Sequence, residues 1–186
     1  FEIPELGRTA KGLPLVNLVQ LDQNEVVTSV LTRNPKGEVS KEVNGKEGKS
    51  YEYFLMVTEK GIVKKTELKE FSKIRSNGLT AIRLEEGDQL IWVKPTTGSD
   101  NVIIVTREGK SIRFKESDVR PMGRSTRGVT GIKFKGSTDS VIGMGIVDSD
   151  DQKLLTLSEF GYGKLSLIKE YGIQKRGGTG IVTFRV

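Results

Sequence analysis

The chain of 186 residues predicts an all-β fold, a propeller-like array of four-stranded blades that forms an incomplete ring. Three observations lead to this prediction. A strand-and-turn phrase recurs at intervals of about fifty residues, and a glycine-rich phrase recurs at nearly the same interval. No window of a dozen residues keeps its apolar side chains at a helical period, so we expect helix to be a minor component.

The strand-and-turn phrase occurs three times. Residues 54–58, 102–106 and 154–158 are short aliphatic runs, and each leads into a turn that contains a glycine: Gly61, Gly109 and Gly161. Aliphatic and β-branched runs that end in a glycine turn are typical of a buried strand entering a hairpin.

The glycine-rich phrase begins at Gly78, Gly128 and Gly177, with an earlier copy at Gly12. In this alignment residues 128–132 correspond to residues 177–181, and the three later glycines are predicted to allow tight backbone turns. The wider gap after Gly12 is explained by residues 33–50, which hold three glycines and no Leu, Ile or Phe and are predicted to form a solvated loop inserted in a hairpin. We therefore predict one partial domain, residues 1–186. It comprises the tail of a blade (1–50), two blades (51–100 and 101–151) and most of another (152–186).

Composition excludes several classes of site. The chain has no Cys and no His, which excludes disulfides, thiolate metal sites and the Ser-His-Asp triad. We expect no catalytic residue, no metal site and no cofactor in this segment. No apolar run approaches the length of a membrane-spanning helix. The chain begins at Phe1 without a signal or transit peptide, so we expect a fragment of a longer cytoplasmic protein.

The net charge of +6 is confined to one part of the repeat. We call the ten residues ahead of each glycine-rich phrase a connector: residues 2–11, 68–77, 118–127 and 167–176. The last three connectors each have a net charge of +2, the first is neutral, and the rest of the chain is neutral. Equivalent positions of successive blades share a rim, so the connectors would form a curved basic track suited to the phosphates of duplex DNA.

The candidate phosphate contacts are nine of the eleven cations of these connectors. They are Arg8, Lys11, Lys73, Arg75, Arg120, Arg124, Arg127, Lys175 and Arg176. The cations of the second strand of each hairpin (Lys64, Lys65, Arg113, Lys115 and Lys164) are interpreted with equal weight as phosphate contacts or as ordinary outward-facing residues.

The segment Gln174-Lys175-Arg176-Gly177-Gly178-Thr179-Gly180 resembles the Gln-Arg-Arg-Gly-Gly-Lys-Gly box of the C-terminal DNA-wrapping domain of bacterial DNA gyrase A. Phrases along the whole chain agree, among them residues 61–66, 74–78, 113–120 and 161–164. The resemblance places the chain at about blades two to four of that domain. It implies a β-pinwheel, a six-bladed propeller relative whose blades exchange strands and whose basic outer rim bends DNA.

The resemblance also implies which residues bind DNA and with which partners. The candidate box contacts are Gln174, Lys175, Arg176, Gly177, Gly178, Thr179 and Gly180. The box departs from the family pattern at Lys175 and Thr179, so we interpret it as an auxiliary contact. The implied partners are duplex DNA, bound through its backbone, and the remainder of gyrase A with gyrase B, in the bacterial cytoplasm at the nucleoid and not at a membrane. The catalytic tyrosine of gyrase A would lie outside this chain, which would support ATP-dependent supercoiling without chemistry of its own.

Two alternatives remain open at this stage. One is the equivalent C-terminal domain of topoisomerase IV, and the other is a propeller that binds proteins through an apolar patch. Trp92 is interpreted as a core residue and not as a base-stacking platform.

Overall fold

The computed structural model describes residues 4–19, 21, 25–31, 50–73, 78–136 and 138–185. These residues contain ten strands joined by turns and by single-turn 3-10 helices. The strands are β1 (Tyr53–Thr58), β2 (Ile62–Glu67), β3 (Leu90–Thr96), β4 (Asn101–Thr106), β5 (Lys110–Lys115), β6 (Val129–Thr130), β7 (Val141–Val147), β8 (Lys153–Leu157), β9 (Gly163–Leu167) and β10 (Ile181–Val182). The 3-10 helices span Leu15–Asn17, Leu68–Phe71, Glu116–Asp118 and Ile168–Glu170.

The strands form antiparallel sheets, one for each of the three hairpins. The first sheet has the order β3-β1-β2-β6, the second has the order β10-β5-β4-β7, and β8 pairs with β9. The predicted all-β class of four-stranded blades is confirmed, and the sheets of the described residues do not close a ring.

Each four-stranded sheet takes its outermost strand from the following repeat. Strand β6 follows β4 and β5 in the chain but pairs with β2, placing Val129 opposite Val63. In the same way β10 pairs with β5, placing Ile181 opposite Ser111. A free edge of β2 or β5 would leave backbone donors and acceptors unpaired, and the exchanged strand satisfies part of that edge while tying neighbouring blades together.

In each of the three hairpin turns a side-chain hydroxyl accepts a hydrogen bond from the backbone. The side-chain oxygens of Thr58, Thr106 and Ser158 each accept the backbone N–H four residues later, at 3.2, 3.3 and 3.1 Å. In the first two turns a buried aspartate, Asp88 or Asp139, accepts a further turn N–H at 2.9 and 3.0 Å. These hydrogen bonds satisfy donors that the turns would otherwise leave without a partner.

The core lies between the sheets. The larger cluster joins side chains of the first two sheets, and a second cluster joins Ile103 and Val147 to Ile168 and Tyr171 of the third repeat. The larger cluster contains Leu55, Val57, Val63, Val102, Ile104, Ile112, Phe114, Val119, Ile132, Val141 and Met144. Blades are therefore held together mainly by apolar contact between successive sheets.

The core interpretation of Trp92 is wrong. Its side chain is 37% exposed, and its indole N–H donates to the carbonyl oxygen of Ile142 at 3.1 Å. Strand β3 lies at the outer edge of its sheet, and successive side chains of a strand point to opposite faces. Ile91 takes the inward position and packs against the core, which directs Trp92 outward.

The N-terminal prediction is only partly covered by the described residues. Residues 4–19, 21 and 25–31 contain the 3-10 helix at Leu15–Asn17 and no assigned strand. The predicted loop at residues 33–50 lies outside the described residues except for Ser50. The blade boundaries remain a prediction.

Candidate nucleic-acid interface

The two later connectors run beside the second strand of the preceding blade in the same register. Pro121 forms a parallel bridge with Lys65, and Ile173 forms one with Arg113. The next residue of each connector donates its backbone N–H to the carbonyl oxygen of the same strand residue, at 2.8 and 2.7 Å. Connector residues 52 apart are therefore structurally equivalent. This repetition places the backbones of the two connectors in equivalent positions.

Each of these strands carries one buried cation that contacts the turn leading into the following connector. The Lys65 ammonium lies 3.3 Å from the carbonyl oxygen of Glu116, and the Arg113 guanidinium lies 3.3 Å from the carbonyl oxygen of Ile168. Each cation also has a carboxylate partner: Lys65 lies 3.7 Å from the Glu116 carboxylate, and Arg113 lies 2.7 Å from Asp150. Because desolvated cations are retained only when they are paired, these contacts account for charged residues inside the strands.

Lys64 is the third buried cation of this region. Its side chain is fully buried, and its ammonium donates to the carbonyl oxygens of Ala81, at 2.7 Å, and Arg124. Burial lowers the pKa of Lys64 from its ordinary 10.5 to about 8, while nearby Glu70 opposes the shift and Arg124 adds to it. Lys64 therefore links the connector at residues 118–127 to the segment that follows the preceding connector.

These burials correct the interpretation of the strand cations. Lys64, Lys65 and Arg113 are buried and bonded to backbone carbonyl oxygens, whereas Lys115 and Lys164 are exposed, which agrees with either interpretation. A cation on a strand carries no local sign of burial, because its partners are carbonyl oxygens that lie more than fifteen residues away in sequence.

The predicted phosphate contacts fall into three groups. Arg8, Lys11, Lys73, Arg120 and Lys175 are exposed. Arg127 is exposed and pairs with Glu85 at 2.8 Å, while Arg124 and Arg176 are half-buried and hydrogen-bonded to backbone. Arg75 lies outside the described residues.

Arg124 and Arg176 occupy equivalent places, 52 residues apart. The Arg124 guanidinium lies 3.5 Å from the carbonyl oxygen of Thr80, and the Arg176 guanidinium lies 3.0 Å from that of Thr130. Arg176 Nε also donates to the carbonyl oxygen of Asp118 at 2.8 Å. We call this arrangement the arginine clasp: a connector arginine that contacts the preceding connector and the phrase that follows it. Arg176 makes both contacts with its guanidinium, whereas Arg124 contacts the preceding connector through its backbone N–H.

The box glycines contact the neighbouring blade. The N–H of Gly177 donates to the carbonyl oxygen of Gly131 at 2.6 Å, and Gly178 accepts the N–H of Lys133 at 2.9 Å. Gly180 has φ +70°, and a Cβ there would lie 2.4 Å from the carbonyl oxygen of Ser111. Gln174 is half-buried and uses its N–H for the connector bridge described above, and Thr179 is half-buried.

The predicted register of the glycine-rich phrases is wrong by three residues. Gly128, with φ +108°, directs its missing Cβ at the carbonyl oxygen of Val63, just as Gly180 does at Ser111. The strand pairs Val129–Val63 and Ile181–Ser111 give the same equivalence, so Gly128 corresponds to Gly180 and not to Gly177. The expected tight backbone is nevertheless confirmed, since Gly78, Gly128 and Gly177 all have positive φ.

An exposed apolar face on the third hairpin is relevant to the protein-binding alternative. Leu155 is 57% exposed, whereas the equivalent residues of the first two hairpins, Leu55 and Ile103, are 0% and 2% exposed. In those hairpins the face packs on the following repeat. Leu155 therefore lies on a face that the first two hairpins use for contact between blades.

Other classes of site find no support in the described part of the chain. No group of three or more Asp or Glu side chains there could hold a metal ion. None of its helices has the length and apolar character to cross a membrane.

Comparison with known proteins identifies a matching family. The family model described as "DNA gyrase C-terminal domain, beta-propeller" matches residues 2–34, 52–97, 100–148 and 152–185. The DNA gyrase A protein of Haloquadratum walsbyi is 42% identical over 186 residues, which is 100% of this chain and 21% of that protein. The DNA gyrase A protein of Escherichia coli K12 is 40% identical over 186 residues, again 100% of this chain and 20% of that protein. The chain thus spans about a fifth of the length of these relatives.

Two solved structures share the fold. The C-terminal domain of DNA topoisomerase IV superposes with a TM-score of 0.78 and 30% identity, covering 92% of this chain and 49% of that one. The DNA gyrase A C-terminal domain superposes with a TM-score of 0.74 and 26% identity, covering 92% of this chain and 53% of that one.

Proposed function

Because the chain belongs to the family of DNA gyrase C-terminal β-propeller domains, we propose that it binds and bends duplex DNA along its basic connectors as the wrapping module of a gyrase A protein. The observation that carries this proposal is the coincidence of charge and register. The whole net charge of +6 lies on the connectors, and the two later connectors run in the same register beside successive blades.

The exposed connector cations are suited to phosphate and not to base edges. Lys73, Arg120 and Lys175 are exposed, and none of them forms an ion pair with another described residue. Cations spaced along a rim neutralise phosphates and release counterions, so their binding depends on salt and little on sequence. A curved row of such cations favours duplex that bends to reach all of them.

The proposed role in the longer protein follows from the relatives. The module would present DNA to the rest of gyrase A and to gyrase B at the nucleoid and support ATP-dependent supercoiling. The catalytic tyrosine would lie in another part of gyrase A. The equivalent domain of topoisomerase IV is the alternative, and the TM-score of 0.78 to such a domain supports it. The sequence upstream of Phe1 decides between them, because the gyrase assignment predicts an intact box there.

A triple charge-reversal variant, compared with a matched control, tests the function. Lys73, Arg120 and Lys175 are changed together to Glu, and binding to a fluorescent duplex is measured at several salt concentrations. Loss of three phosphate contacts should lower the slope of log affinity against log salt by about 3. Exposed substitutions usually change stability by about 0.5 kcal/mol or less, so thermal unfolding should remain close to that of the wild type.

The matched control reverses three exposed cations outside the connectors: Arg107, Lys135 and Lys153. It changes the net charge by the same amount, and we expect it to retain most of the wild-type affinity. Equal losses in the two variants would mean that bulk charge drives binding and would contradict the basic track. Binding by the wild-type chain that does not change with salt would contradict the function itself.

A further inference from the structure

The half-buried connector arginines have a different environment from the exposed connector cations. Arg176 uses both Nε and Nη1 for carbonyl oxygens, at 2.8 and 3.0 Å, and these carbonyls belong to Asp118 and Thr130. A guanidinium whose fork already joins two backbone segments has fewer N–H groups left to bind a phosphate.

A related contact occurs one repeat earlier. Arg124 donates from Nη1 towards the carbonyl oxygen of Thr80, and its own backbone N–H donates to the carboxylate of Glu70 at 3.2 Å. Glu70 and Asp118 hold equivalent positions in the 3-10 helices that open their connectors. Each arginine residue is therefore held at the same two places of the preceding repeat, Arg176 by its guanidinium alone and Arg124 by its guanidinium and its backbone N–H.

We propose that Arg124 and Arg176 are positioning residues: each clasps one connector to the preceding one and so fixes the spacing of the exposed cations along the DNA path. Phosphates are then bound by the exposed cations, and the clasps allow several of them to engage one duplex together. This inference rests on the proposed DNA-binding function.

The chemistry of lysine makes the clasp testable without a change of charge. Arg176→Lys and Arg124→Lys retain the positive charge but replace a planar fork by a single ammonium, which cannot reproduce the geometry of the guanidinium contacts. The matched control is Arg107→Lys, the same substitution at an exposed position outside the connectors.

The first measurement needs no DNA. Amide exchange of the Gly177 N–H, which donates to the Gly131 carbonyl beside the clasp, is compared in the free proteins. Loss of the two guanidinium hydrogen bonds should raise local opening, and hence exchange, by about tenfold or more in Arg176→Lys. Arg107→Lys should leave it unchanged. Unchanged exchange in Arg176→Lys would overturn the clasp.

The second measurement compares two duplex lengths. A duplex of about 8 base pairs reaches the cations of one connector, while one of about 30 base pairs reaches several and gains from their fixed spacing. The Arg124→Lys/Arg176→Lys variant should bind the short duplex within about twofold of wild type and the long duplex about fivefold or more weakly. Arg107→Lys should bind both as the wild type does.

The outcomes separate the possible failures. Equal weakening on both duplexes would assign these arginines to direct phosphate binding or to general stability, and unchanged binding on both would show that they set no spacing. If the wild-type chain shows no salt-dependent binding to either duplex, the proposed function fails, while the exchange measurement still reports on the clasp. Should Arg176→Lys unfold, Arg124→Lys provides the same test, read from the exchange of the Arg124 N–H that donates to Glu70.

Discussion

Changing the buried Lys64 to Met should remove a pH-dependent contribution to the free energy of unfolding. Met keeps a long unbranched side chain but cannot be protonated. In the wild type the Lys64 ammonium lies beneath the connector at residues 118–127, fully buried and bonded to the carbonyl oxygens of Ala81 and Arg124. Its surroundings therefore favour the neutral amine more than water does.

The sign and size of the effect follow from the two pKa values. The pKa of Lys64 is about 8 in the folded protein, against an ordinary value of 10.5 for the unfolded chain. Between these values the unfolded chain binds more protons, so stability rises with pH across this window, and below it the penalty for the charged form is fully present. Integrated from pH 7 to pH 9.5, the gain is up to about 2 kcal/mol.

Urea unfolding at pH 7 and pH 9.5 measures this gain. Other lysines and tyrosines titrate in every variant, so the useful quantity is the gain of the wild type minus that of Lys64→Met. We expect a difference of up to about 2 kcal/mol. The exposed Lys153, changed to Met, is the control and should show the wild-type gain. If Lys64→Met gains as much as the wild type, the buried amine is not the titrating group and the reasoning is refuted.

Two further predictions concern the exchanged strands and the basic track. Gly180→Ala should destabilise the fold by more than Gly78→Ala: both have positive φ, which costs about 1 kcal/mol for Ala, but only at Gly180 would the Cβ meet backbone, 2.4 Å from the carbonyl oxygen of Ser111. Thermal unfolding of the two variants checks this order, and equal losses would contradict it. Glu85→Gln should raise DNA affinity by at most about fivefold at low salt, because it frees Arg127 from an exposed ion pair of 2.8 Å and removes a charge that repels phosphate. A titration at high salt should erase the gain, and a gain that persists there would argue against this electrostatic cause.

Much of the fold was predictable because its signals are local. The aliphatic runs at residues 54–58, 102–106 and 154–158 each coincide with a strand that enters a turn, since alternation and turn chemistry act over a few residues. The confinement of the net charge to the connectors is likewise a property of the sequence, and it led directly to the candidate site.

The register of the exchanged strands was not predictable from the same kind of signal. Gly177 and Gly180 both have positive φ, so the glycine pattern alone fits either one to Gly128. Only the pairing of Ile181 with Ser111, which lies 70 residues earlier in strand β5, shows that Gly180 is the equivalent of Gly128. Local sequence does not determine which distant strand an exchanged segment pairs with.

By itself, the sequence determined the repeat, the all-β class, the hairpin turns and the placement of the charge, because each depends on residues close together in the chain. Tertiary structure alone decided which cations are available to a ligand. Lys64, Lys65 and Arg113 are buried because carbonyl and carboxylate partners reach them from residues 17 to 60 positions away. Arg124 and Arg176 are half-buried because the preceding repeat supplies their acceptors. The cost of desolvating a cation is offset only by such distant partners, and no pattern in the neighbouring sequence predicts them.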